Sequence, residues 1–363
     1  MYVPKYTITT QILKDIGLVE VAKDVIINAP LVPAYETKFR DDAKLKKIHF
    51  GTALEGNDLT EGEARLIVDR EVTSIAEAEA AGVVARERDV QEVINYRNVV
   101  EFIEKIGPGT NYSLGLVNRI HALVVDRLVP PELAGVLRRT QVVLKNSITG
   151  EVAYRPPETD LVPGMMMDFM AWLESEHGRK EHPVLRAGIT HYALTAIHPY
   201  TEGNGRTARA MATMVLFAEG YDIKRFFALE EYFDKHAEDY FGALAEVSAQ
   251  SVVLTERDLT IWLEIFTRAL ALELTRIKEK VRELTLSTTM KQRMGKQVPL
   301  SERQMKIVEY LTANGEMGMG EARGVLHMVS EDTILRDMRY LLDKGVVSKR
   351  GSTKAAKYIL KKL

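Results

Sequence analysis

The chain has 363 residues, 46% apolar and 28% charged, near the globular average, which excludes a wholly disordered protein. Lys and Arg number 49 against 51 Asp and Glu, a net charge of -2, which excludes a chain-wide basic footprint for nucleic acid and an acidic solvating tail. Cysteine is absent, so disulfides, thiolate metal centres and cysteine nucleophiles are excluded too.

The opening MYVPKYTITTQILKD has no basic region followed by an apolar core, so it does not read as a secretory signal. No apolar run approaches the ~20 residues of a membrane span. The expectation is a cytoplasmic protein with no membrane contact. Residues 1–100 read as a helical segment packed on the core. Near its middle lies GTALEGN (51–57). Gly56 or Asn57 would end a helix there in the left-handed conformation. Thr60 and Glu63 then have the spacing of a capping box opening the next helix.

Helical periodicity marks 92–106, 114–128, 165–174, 185–197, 207–217 and 259–283. Strand signals are few. RTQVVL (139–144), a turn over 145–150 and a second strand over 151–154 read as one β-hairpin, with Asn146, Ser147 and Gly150 supplying turn chemistry. Pro156 and Pro157 end it. The polar stretch 284–299 reads as a linker. From 300 to 363 the pattern is helix, helix, helix, hairpin: Ser301 caps 302–312, a short helix covers 319–327, Ser330 caps 331–342, and strands fall at 346–349 and 357–360. Residues 330–363 carry nine Lys and Arg against four acids. The met-rich run VPGMMMDFMAWL (162–173) reads as core packing. His177, His182 and His191 lack the spacing of a zinc site.

The most informative run is HPYTEGNGRTAR (198–209), between two good helices. Gly203 and Gly205 allow positive φ and close approach of the backbone to a ligand. N–H groups at a helix start, with the macrodipole, form an anion site. Arg206 and Arg209 share a helical face and suit phosphate oxygens. Glu202 is a candidate Mg²⁺ ligand, and His198 a candidate general base. Together they read as transfer chemistry on a phosphate ester. No Lys-Ser/Thr follows the glycines, so this is not a P-loop.

The run resembles the signature of the Fic family, HPFx[D/E]GNGRxxR, with Tyr200 where Phe is usual. The resemblance implies a mostly α fold: a Fic-type helical core with a β-hairpin flap, and a C-terminal unit that looks like a winged helix-turn-helix. The domains would be 1–100 (inhibitory segment), 101–283 (catalytic core), 284–299 (linker) and 300–363 (winged helix). It implies that His198 deprotonates a target hydroxyl, and that Glu202 holds Mg²⁺ on the phosphates of ATP. Gly203, Asn204 and Gly205 would form the anion hole; Arg206, with the adjoining Thr207 and Ala208, would line the phosphates; and Arg209 would anchor the γ-phosphate. The product would be an AMP ester on Ser, Thr or Tyr of a target protein. Residues 140–157 match the family's flap, which pairs with an extended stretch of the target. Tyr232 and Tyr240 are candidates for the adenine pocket. Glu55 falls in a run similar to the inhibitory motif [S/T]xxxE[G/N], with Gly51 at the Ser/Thr position, and would pair with Arg209.

Residues 300–363 would contact DNA or a protein, and a homodimer is compatible with the sequence. The alternatives are a winged-helix transcriptional regulator with a nucleotide-sensing Fic core, and a Fic-fold deAMPylase or phosphotransferase.

Overall fold

The computed structural model describes residues 2–145, 150, 152–294, 300–327, 329–351 and 356–361. The chain divides into two compact units, Met1–Ile27 with Pro33–Ile277, and Asn28–Val32 with Lys278–Leu363. In chain order, α1 (Thr10–Asn28), α2 (Pro33–Ala53), α3 (Glu61–Asp69), α4 (Ile75–Ala80), α5 (Glu87–Ile103) and α6 (Leu114–Val124) precede a hairpin of β1 (Leu144–Lys145) and β2 (Val152–Tyr154). Then come α7 (Val162–Glu174), α8 (Glu176–Lys180), α9 (Pro183–Ile197), α10 (Asn204–Ala218), α11 (Leu229–Lys235), α12 (Ala237–Ala249) and α13 (Thr260–Met294).

The first unit is built around α9 and α10, which pack on each other; α10 also meets α6, α5 and α2. Nearly every residue of both helices is buried, as expected of helices that are apolar on most faces. Gly188 lets α13 come close: a Cβ there would sit 2.9 Å from Leu263 Cδ2. Trp262 Nε1 donates to the Gly188 carbonyl at 2.7 Å. α2 lies against α5, α11 and α3, which carries residues 51–57 to the start of α10. The Thr60–Glu63 capping box forms, and Gly56 adopts φ +90°.

The hairpin is shorter than its sequence suggests. Residues 139–143 are not strand, and among the described residues pairing covers Leu144 with Tyr154 and Lys145 with Val152. Side chains replace the missing ladder. Arg138 Nη2 donates to the Pro157 carbonyl at 2.6 Å, and Gln141 Nε2 to the Pro156 carbonyl at 3.1 Å. Asn146 and Ser147, the expected turn residues, lie outside the described residues, whereas Gly150 has φ +71°. The expected linker 284–299 is helical at its start, because α13 runs on to Met294. Residues 284–294 hold no Gly or Pro to stop a helix; Gly295, the first breaker, lies outside the described residues.

In the second unit, α14 (Glu302–Asn314), β3 (Glu316–Met317), α15 (Met319–Val325), α16 (Glu331–Asp343), β4 (Val347–Arg350) and β5 (Lys357–Leu360) follow one another. The antiparallel sheet has the order β3-β5-β4. Ile307, Leu311, Ile334, Met338, Leu341 and Val347 form its core. The two residues of β3 are too few to show an alternating pattern; they become strand by pairing with β5, Glu316 opposite Ile359. Asp337 is buried, taking Arg303 Nε at 2.7 Å and Gln304 Nε2 at 3.0 Å.

Candidate active site

The loop between α9 and α10 is closed by its own side chains. His198 caps α9 at φ 51°, a left-handed conformation costly for a residue with a Cβ. The Tyr200 N–H donates to Asn204 Oδ1 at 2.9 Å, and Asn204 Nδ2 donates back to the Tyr200 carbonyl at 2.8 Å. The Asn204 side chain is therefore spent on loop closure, and only its backbone N–H can serve an anion. Gly203, at φ 75°, is the N-cap of α10. Thr207 Oγ1 donates to the Gly203 carbonyl at 2.8 Å, and Ala208 is fully buried in the core.

α10 starts at Asn204 rather than Thr207, so Gly205 and Arg206 stand in its first turn, where N–H groups lack intrahelical partners. Gly205 is helical, not left-handed as expected. A Cβ there would overlap the end of the Glu55 side chain, so any larger residue at 205 would have to displace that carboxylate.

Three residues that the sequence did not single out hold this loop. The Gly135 N–H donates to His121 Nδ1 at 2.9 Å, which leaves Nε2 to donate to the Glu202 carbonyl at 2.9 Å. The His121 ring stacks on Tyr200, centroids 3.6 Å apart. Tyr200 OH donates to Asn118 Oδ1 at 2.7 Å. The departure from Phe is thus a buried, partnered hydroxyl. Arg138, 4% exposed, donates from Nε to the His198 carbonyl at 2.9 Å and ties the loop to the base of the hairpin. Asn118 and His121 were hidden because a polar residue on a helical pattern shows no partner until the tertiary fold supplies one.

Burial pushes the His198 imidazole down to about 4, and the nearby Thr195 carbonyl and Glu55 offset this only in part. His198 Nδ1 lies 3.4 Å from the Thr195 carbonyl, so a neutral ring with Nδ1 protonated leaves Nε2 free. Burial also brings His121 down to about 4.

Glu55 and Arg209, widely separated in sequence, meet here. Arg209 Nη2 donates to Glu55 Oε1 at 2.9 Å and to the Gly51 carbonyl at 2.8 Å. Burial pulls the Glu55 carboxyl up, but Arg209 and Arg206 outweigh it and hold it below the usual range. Gly51 has no room for a side chain: a Cβ there would run into the Tyr96 ring. Thr52, next along, donates instead to the His49 carbonyl at 2.9 Å. Arg206 does not share Arg209's partner. Its Nη1 faces Glu92 Oε1 at 3.2 Å, and Nη2 lies 3.9 Å from Glu202.

Tyr240 is 2% exposed and enclosed by Phe233, Phe241 and Trp262. It reaches the site through its hydroxyl, 3.5 Å from Arg209 Nη1 and 3.0 Å from His191 Nε2. Tyr232 is partly exposed, with one face stacked on His236 at 4.1 Å. Neither ring offers an unobstructed stacking platform on both faces. Glu55, Glu92, Glu202, Gly203 and Arg206 line a polar cavity of about 250 Å³.

Residues 111–216, which include this loop, all of α9 and most of α10, match the Fic/DOC family. The chain carries a Fic/DOC domain. The chain is 28% identical over 197 residues to a protein adenylyltransferase Fic of Nematostella vectensis, covering 53% of this chain and 42% of that one. It is 29% identical over 187 residues to the Drosophila melanogaster protein of the same name, covering 50% and 34%. It therefore spans less than half the length of these curated relatives. A Fic family protein from Desulfovibrio desulfuricans G20 superposes with a TM-score of 0.62 at 22% identity, over 99% of this chain and 98% of that one. Fic-1 from C. elegans superposes at 0.54 and 21% identity, over 74% and 72%. The Fic fold of the domain follows from these likenesses. No helix among the described residues is long and apolar enough to cross a membrane.

Proposed function

We propose that this chain transfers AMP from ATP to a hydroxyl of a target protein and is held inactive by Glu55. The observation that carries the reading is the Glu55–Arg209 ion pair of 2.9 Å at the first turns of α10, beside a neutral His198. Arg209 is the cation best placed to fix the outermost phosphate, and an internal carboxylate now occupies it. His198 Nε2 takes the proton of the target hydroxyl as its oxygen attacks the α-phosphorus. The bond from that phosphorus to the bridging oxygen breaks, and pyrophosphate leaves. In-line displacement of this kind depends on positioning and charge neutralisation more than on covalent help. The N–H groups of the first turn of α10, with Arg206, would face the phosphates. Tyr240 would act through Arg209, and the exposed side of Tyr232 would meet the adenine.

Glu202 and the neighbouring Glu92 are hard oxygen donors at the rim of the polar cavity, a donor set that suits Mg²⁺. No group of three or more acidic or His side chains among the described residues could hold a metal alone, so the phosphates would complete the coordination. Bound there, the ion would neutralise phosphate charge. The hairpin within 140–157 would take the target as an added strand. Its exposed apolar edges, Val143 and Val152, support that role.

The second unit reads as a winged helix-turn-helix, supported by its order of helices and strands. A protein partner suits it better than DNA, because Glu331 and Asp332 occupy the start of α16, the end that would meet base edges.

The test uses purified wild-type and Glu55→Gly protein with ATP labelled at the α- or γ-phosphate. Protein label from the α-phosphate only, stronger in Glu55→Gly, is expected. Label from the γ-phosphate would make the reaction phosphotransfer, and no label from either would overturn the reading.

A further inference from the structure

The Glu55–Arg209 pair accounts for one arginine of the site. A second ion pair accounts for the loop carboxylate. Arg88, at the start of α5, donates from Nη2 to Glu202 Oε1, and its Nε lies 3.3 Å from Glu92 Oε1. One guanidinium therefore bridges the two carboxylates at the cavity rim. Arg206, on the inner side, also approaches both. The two arginines differ in freedom. The Arg206 side chain is 4% exposed, whereas that of Arg88 is 53% exposed and has solvent to swing into.

We propose that Arg88 is a cation gate: its guanidinium occupies Glu202 in the resting chain and must leave before a divalent ion can bind there. A monovalent and a divalent cation repel across a few ångströms, and Glu202 cannot serve both at full strength. The gate is mechanically joined to Glu55. Asn57, two residues beyond it, donates from Nδ2 to Glu92 Oε2 at 3.0 Å and to the Asp89 carbonyl at 3.0 Å. Arg86 Nη2 reaches the Gly56 carbonyl at 3.3 Å. The first turns of α5 thus hold the inhibitory turn and present Arg88 to Glu202, so one helix end serves both the phosphate and the metal side of the site.

The inference rests on Glu202 being the metal carboxylate. Mn²⁺ binding to the full chain, followed by the loss of the free-ion electron paramagnetic resonance signal in the presence of ADP, tests it without turnover. Relative to Glu55→Gly, the Arg88→Ala/Glu55→Gly protein is expected to bind Mn²⁺ about fivefold more tightly, the scale of one exposed ion pair. Arg88→Lys/Glu55→Gly keeps the charge and is expected to bind weakly again. Unchanged or weaker binding in Arg88→Ala/Glu55→Gly overturns the gate. A gain that survives added Glu202→Gln overturns it too, because the cation would then sit elsewhere. Failure of the AMP-transfer reading shows separately, as absent α-phosphate label in Glu55→Gly whatever Mn²⁺ does.

Discussion

The loop at 198–209 and the hairpin at 139–154 lie on either side of Arg138, yet the fold treats them differently. In the loop, the side chains of Tyr200, Asn204, Thr207 and Arg209 each have a named hydrogen-bond partner. In the hairpin, pairing among the described residues covers two positions, and the base is held by Arg138 and Gln141. The loop is preorganised for charge, which tolerates little displacement. At its base the hairpin is joined by side chains rather than by a ladder, since residues 139–143 are not strand.

The sharpest way to break this comparison is to remove the base. His198→Ala in the Glu55→Gly background should lower AMP transfer about 10³-fold, within the range for general acid–base catalysis, measured with α-labelled ATP. Arg138→Ala should act on both regions at once. It strands the partly buried His198 and Pro157 carbonyls and should cost about 2 kcal/mol in chemical unfolding. Gly51→Ser restores the family residue but drives a side chain into Tyr96. It should cost about 1–3 kcal/mol from overpacking and raise AMP transfer, because the α2 end that presents Glu55 is loosened.

Acid should weaken the loop. His121 and His198 are held near 4, below the ordinary imidazole value. The unfolded chain therefore takes up protons below about pH 6.5 that the native chain refuses, and stability falls between about pH 6.5 and 4 by up to ~1.4 kcal/mol per pH unit for each ring. Urea titrations across that interval check the slope. The smallest effect is expected at Tyr200→Phe, about 1 kcal/mol for the lost bond to Asn118, read from the same titrations; no change would mean that Asn118 finds another partner.

Much of this site was legible in the residues alone. The 198–209 run offered a candidate base, a carboxylate, two glycines and two arginines in an order that has few other uses, and Glu55-Gly56 signalled a helix end. What stayed hidden is relational. Gly205 looked like a flexible glycine, but it is helical, and the Glu55 carboxylate lies where its Cβ would be. Arg206 and Arg209 share a helical face, but Arg206 turns to Glu92, a partner the motif did not name. Tyr240 looked like a base-stacking ring, but its faces are packed and its hydroxyl does the reaching. The strand expected over 139–143 failed because Arg138 and Gln141 satisfy the hairpin base with side chains, a solution no alternation pattern encodes.

By itself, then, the sequence determined the helical class, the helices flanking the motif loop and the capping boxes at Thr60 and Ser301, because these depend on neighbours a few positions apart; Ser330 starts α16 without the side-chain cap expected of it, and β3 was not foreseen. The resemblance implies that Glu55 meets Arg209, and it does; only the tertiary structure decided that His121 and Asn118 brace Tyr200, that Arg206 faces Glu92, and that Arg88 covers Glu202. Those contacts join residues dozens to more than a hundred positions apart. They exist because α2, α5, α6 and α10 bury their faces against one another, and the packing chooses which charges come within reach.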